Sequence, residues 1–146
     1  MRGYTNTREH DYSTRGKLSD LSALAYMPHL GDIDVSFNNI SDTTPLSNHE
    51  ELTHIHIHEN SISDISGLEG LPVLRFLSIG SNPIRSDLSS LSNCTALENL
   101  DISYSEITDI SAIQNLTDLR TFSANDCPII DWSPAAHIES VYGRPE

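Results

Sequence analysis

Positive charge is what this sequence has least of: eight Lys and Arg stand against 21 Asp and Glu, a net charge of −13 with neutral His. Between Lys17 and Arg75 there is no Lys or Arg, while nine acids fall in the same span. Counterion release from nucleic acid or from an anionic membrane surface needs a basic face, so these partner classes are excluded, and a neutral or basic protein ligand is expected. Cysteine is almost missing too. Cys94 and Cys127 are too few for a disulfide framework and are not spaced as a metal knuckle. No run approaches 18 apolar residues, and the start MRGYTNTREHDYSTRGK lacks the apolar stretch of an export signal, so no membrane insertion is expected of these residues. No GxSxG, phosphate loop or HExxH occurs, and 146 residues are enough for one domain. Apolar residues make up only 37% of the chain, yet Leu and Ile are prominent among them, which points to a repeating demand.

That demand has a period. Aligned on Leu, the chain reads LGDIDVSFNNISDTTPLSNHEE from Leu30, LTHIHIHENSISDISGLEGLPV from Leu52, LRFLSIGSNPIRSDLSSLSNCTA from Leu74, LENLDISYSEITDISAIQNLTD from Leu97 and LRTFSANDCPIIDWSPAAHIES from Leu119. Four units have 22 residues and the third has 23. A half unit precedes them, because Leu18, Leu21 and Leu24 stand 22 residues before Ile40, Thr43 and Leu46. The expected organisation is a polar segment at 1–17, a repeat domain at 18–141 (half unit 18–29; units 30–51, 52–73, 74–96, 97–118 and 119–140) and a tail at 142–146. In each unit the first, fourth and sixth columns are apolar and alternate with polar residues, as in a short strand with one buried face. Further apolar columns follow at spacings of three, which suit 3₁₀ turns better than a long α-helix. One unit buries too few apolar side chains to offset the ordering of its own backbone, whereas a stack of units shares a core.

The pattern LxxLxIxxNxIxDIxxLxxL, complete in residues 52–71 and nearly so in 97–116, resembles the leucine-rich repeat. Its length is similar to the short 22-residue class found in bacterial internalins and phosphatase-regulating repeat proteins. The resemblance implies an α/β right-handed solenoid with a concave parallel sheet of five or six short strands and 3₁₀ or short helical turns on the convex side. It also implies a non-catalytic module that binds a protein through the concave sheet, as part of a bacterial surface or secreted protein. An intracellular regulatory subunit of an enzyme such as a phosphatase is the alternative, with a cytoplasmic location if the chain is complete.

Two ladders belong to the repeat itself. Asn38, Asn60 and Asn82 share the ninth column, where an amide side chain can satisfy backbone groups as the strand turns away. Ser105 and Cys127 take that column in the last two units. Asp20, Asp42, Asp64, Asp87, Asp109 and Asp131 precede the convex turns, where a carboxylate can accept orphan backbone amides. Cys94 falls in the column of Leu71 and Leu116, and Trp132 in that of Ile65 and Ile110. Both are therefore expected in the core.

Functional residues are expected where the repeat dictates nothing, in the third, fifth and seventh columns, which point out of the concave sheet. There Asp32, Asp34, His54, His56, His58, Phe76, Asn99 and Asp101 form the candidate protein-binding face, with Tyr104 at its rim in the eighth column beside Phe37. The segment THIHIHE puts three imidazoles on one strand face, so zinc bound by His54 and His56 is the alternative, structural or hydrolytic. A pH-responsive surface is a further expectation, since imidazoles beside carboxylates become charged near neutrality. No other cofactor is expected. Exposed sheet edges also invite a homodimer through an uncapped end.

Overall fold

A computed structural model describes residues 16–145. The expectations for the first 15 residues lie outside the described part. Six three-residue strands, β1 (Asp32–Asp34), β2 (His54–His56), β3 (Phe76–Ser78), β4 (Asn99–Asp101), β5 (Thr121–Ser123) and β6 (Ser140–Tyr142), form one parallel sheet in chain order. Each return leg carries a 3₁₀ turn, from Ser22–Tyr26 to Ser133–Ala135. The apolar columns explain this alternation. Ile33, Ile55, Leu77, Leu100 and Phe122 point inward from the strands and are buried, and Ile40, Ile62, Ile84, Ile107 and Ile129 meet them from the return legs. The result is the parallel-sheet solenoid that the leucine-rich repeat resemblance implies.

The register is constant across the first five strands: Asp32 faces His54, which faces Phe76, then Asn99, then Thr121. The extra residue of the third unit therefore does not disturb the sheet. At β6 the expected boundary fails, because Ser140 pairs with Thr121 and the new strand begins inside the predicted unit 119–140. The fifth coil passes from its 3₁₀ turn Ser133–Ala135 to Ile138 without the spacer of the earlier coils. Trp132 closes that coil as a core residue, its indole 6.3 Å from the Phe122 ring and its N–H donated to Ile129 O.

The asparagine ladder holds neighbouring coils together. Asn82 Nδ2 donates to Ile79 O and Gly80 O of its own coil and to Ile57 O of the preceding one, while its Oδ1 accepts from Ile62 N–H. Asn60 repeats the arrangement with Ile57, His58, Val35 and Ile40. In the last coil the Cys127 thiol donates to Ile102 O at 3.2 Å, the same carbonyl column, so sulfur takes over part of the amide's role. Just before the ladder, Phe37, Glu59, Ser81, Tyr104 and Asp126 all adopt left-handed backbone with φ between 54° and 59°. That conformation costs a non-glycine residue roughly 1–2 kcal/mol, and it recurs because it turns the strand's carbonyls toward the ladder.

On the convex side all six aspartates accept a backbone N–H two residues on, from Ser22, Thr44, Ser66, Ser89, Ser111 and Ser133. Each sits one residue ahead of the turn's formal cap, so the motif is an Asx turn feeding the 3₁₀ segment. His49 stands in the column of Leu71 and Leu116, yet it is buried, with Nδ1 3.2 Å from Leu46 O and Nε2 3.1 Å from Leu24 O. Its ring thus ties the half unit to the first full coil. Cys94 is buried in the same column, and loss of solvent pushes its thiol up to about 11. It is a core side chain and no nucleophile.

Two stability measurements follow from these ladders. Asn82 is 2% exposed, so Asn82→Ala leaves buried carbonyls and an amide without partners and is expected to cost about 3 kcal/mol in urea unfolding. The half-buried Asn38 should lose less on the same change. Hydrogen bonds from Ser22, Thr44, Ser89 and Ser133 hold the carboxyls of Asp20, Asp42, Asp87 and Asp131 below their ordinary 3.8. A lowered folded-state value gives stability that is present above the unfolded value and lost as pH falls through the folded one. Melting temperature should therefore hold from neutrality down to the carboxylate range and drop below it, and Asp87→Asn should shrink that drop.

Candidate functional site: the concave face

The parallel register brings the outward columns of successive coils into rows. Phe76 stands beside His54, and its ring stacks on both neighbouring imidazoles: the His56 centroid is 4.6 Å away with planes 30° apart, and the His54 centroid 6.0 Å away at 17°. One coil back, Phe37 meets His58 edge-on at 4.9 Å. The strand face of three imidazoles is thus covered from both sides by aromatic rings. Phe37, Phe76 and the three histidines are half-buried and together form a low aromatic patch over three coils.

Each imidazole has its own setting. The Thr53 hydroxyl donates to Gly31 O, so the 2.9 Å contact between Thr53 Oγ1 and His54 Nδ1 is a donation from the ring. His58 Nδ1 lies 3.0 Å from Ser36 Oγ and 3.3 Å from Ser78 Oγ. Burial pushes His58 below the usual 6.5, against the opposing pull of Asp34. The expectation that these imidazoles charge near neutrality is therefore corrected at His58, whose desolvation outweighs its acidic neighbours. The zinc alternative also lacks its ligand set. Among the described residues no three His, Cys, Asp or Glu side chains gather as ligands for a metal ion, and the rings of His54 and His56 pack on Phe76.

The acids divide by use. Asp34 Oδ1 accepts Ser36 N–H and Asp101 Oδ1 accepts Ser103 N–H, so both carboxylates brace the strand's exit while facing solvent in part. Asp32 is exposed at the sheet's first strand, and Asn99 is half-buried beside Phe76. Tyr104 is 61% exposed at the rim, unlike Phe37, which lies over the next coil. Outward position does not always mean exposure. Ser78 and Ser103 belong to outward columns and are nonetheless buried, because larger neighbours close over them. The contacts that sequence reasoning missed, Phe76 on His56 and Phe37 on His58, join residues roughly one period apart, so the repeat register held the signal.

The model for Leucine Rich repeats (2 copies) matches residues 50–93. The chain superposes on an internalin (InlF) of Listeria monocytogenes with a TM-score of 0.82 and 32% identity, over 88% of this chain and 39% of that one. Internalin C2 of the same organism gives 0.81 and 33%, over 85% of this chain and 56% of that one. The human Cilia- and flagella-associated protein 410 is 36% identical over 70 residues, which span 46% of this chain and 27% of that protein. The described residues thus have the leucine-rich repeat solenoid fold and are similar to the repeat regions of these internalin structures, of which the chain spans less than two thirds. None of the helices among the described residues is long and apolar enough to cross a membrane.

The stacking can be checked directly. Phe76→Ala should move the His56 ring-proton resonances downfield in NMR spectra as the facing ring is lost. Unfolding free energy should fall by only about 1 kcal/mol, because Phe76 is half-buried and belongs to no core column.

Proposed function

We propose that this domain binds a protein partner across its concave face, with the aromatic patch of Phe76, His54, His56 and His58 as the anchor. The observation that carries this is the paired stacking of His54 and His56 on Phe76: a rigid, part-apolar surface in columns that neither the core nor the ladders dictate. Large rings give contact area with few rotamers to immobilise, which is what a binding hot spot needs. Asp32, Asp34 and Asp101 surround the patch, and the third, fifth and seventh columns of the five units contain no Lys or Arg, so the partner is neutral or basic. Asn99 and Tyr104 extend the face toward the later coils. The 22-residue period and the internalin-like fold support placement in the short-repeat class and at a bacterial surface or in a secreted protein.

The test is binding of purified secreted and cell-surface ectodomains to the immobilised domain, followed by substitution on each face. For a true partner, Phe76→Ala and His56→Ala should each weaken binding at least about tenfold. Arg85→Ala on the convex side, where Arg85 pairs with Glu106, should change it little. A partner lost on convex substitution and indifferent to Phe76 would place recognition elsewhere.

A further inference from the structure

Beside the aromatic patch the concave face has a hollow of about 290 Å³. We infer that this hollow is a subsite for an arginine side chain of the protein partner, an inference that rests on the concave-face proposal above. Gly80, buried, is part of its lining together with His58, Asp101 and Tyr104. The seventh column reads Ser36, His58, Gly80, Ser103 and Asn125, so in the middle coil alone the outward position has no side chain. A Cβ there would come within 2.8 Å of Ser103 O, so the close approach of the next coil demands the glycine.

The walls have the chemistry of a guanidinium site. Ser78 and Ser103 are buried and make a small floor whose hydroxyls are already engaged, Ser103 Oγ accepting Asn125 N–H and Nδ2–H and Ser78 Oγ lying 3.3 Å from His58 Nδ1. Asp101 supplies one wall. Its Oδ1 accepts Ser103 N–H at 2.9 Å and its Oδ2 carries no hydrogen bond among the described residues, so the carboxylate is held in place with acceptor capacity remaining. Tyr104 supplies the rim, exposed and fixed in left-handed backbone. His58 closes the side toward the patch, and its burial favours the neutral ring, which leaves the Asp101 charge uncancelled. A flat cation that stacks on the Tyr104 ring while its N–H fork meets the remaining oxygen of Asp101 uses both the plane and the charge. A lysine ammonium uses the charge but not the ring plane. A sugar uses the ring but not the charge.

The experiment is an amide-resolved NMR titration of the full chain with N-acetylarginine amide, run beside the citrulline and lysine analogues and methyl glucoside. Asp101→Asn is the partner variant, because its side-chain oxygen still accepts Ser103 N–H. Saturable shifts centred on Gly80, Ser81 and Ser103 are expected with the arginine probe. They should weaken about tenfold in Asp101→Asn and about as much with the uncharged citrulline analogue. The inference is overturned if the arginine probe gives no saturable shift there, if its shifts centre on Asp32 and Asp34, or if Asp101→Asn leaves its affinity unchanged. Equal or tighter binding of the citrulline, lysine or glucoside probe would overturn it too. Such a failure leaves a Phe76-dependent partner standing, whereas a partner indifferent to Phe76 sinks the concave-face proposal whatever arginine does.

Discussion

A parallel strand of three residues needs a stabilised exit, and in the coils of Asn38, Asn60 and Asn82 the ninth-column side chain supplies it. When the backbone leaves the sheet, two carbonyls per coil turn inward where no water can meet them, and the amide of Asn60 or Asn82 takes both together with one from the coil before. Buried polar groups without partners are costly, so this bond set makes the tight turn viable. The left-handed residue in the eighth column, the constant register and the stacking of the apolar columns all follow from the same turn. Cys127 shows how little of the amide is essential: one donor to Ile102 O maintains the pairing of β4 with β5.

Because the ladder and the inward columns secure the fold, the outward columns are left to chemistry. The net charge of −13 divides accordingly. Six aspartates are bound to convex turns and repeat in every coil. Asp34 and Asp101 serve the strand exits as well as the surface. Partner selection therefore rests on very few charges, and their effect depends on the absence of any cation in the outward columns.

The repeat was legible because every coil makes the same demand of the same column, so period, strand positions, convex turns and core membership of Cys94 and Trp132 could all be read from spacing. Three features escaped for physical reasons. The short fifth coil carries no marker at its shortened end, since Ile138 enters a first column without the usual spacer. His49 replaces a core Leu, and only the packed structure shows carbonyls at both ring nitrogens. The depth of the concave face depends on which side chains close over which, so Ser78 and Ser103 are buried in outward columns and Gly80 stands where the next coil leaves no room for a Cβ.

The stacking of His54 and His56 on Phe76 bears on how the face works. An isolated aromatic on a shallow sheet would be mobile and would lose rotamer freedom when a partner arrived. Phe76 instead packs against two imidazoles of the neighbouring strand, whose own positions are set by Thr53 and by the strand register. Ordering cost is then met on folding rather than on binding, which favours slow dissociation. The acids act on the other half of the reaction, steering encounter over distances on the order of a Debye length. Asp101 lies one strand beyond Phe76 and two residues along from its register partner Asn99, near enough for a single partner segment to touch both. A substitution at Phe76 should thus be felt mainly in the off-rate and one at Asp32 mainly in the on-rate, since the first is a desolvated contact and the second an exposed charge.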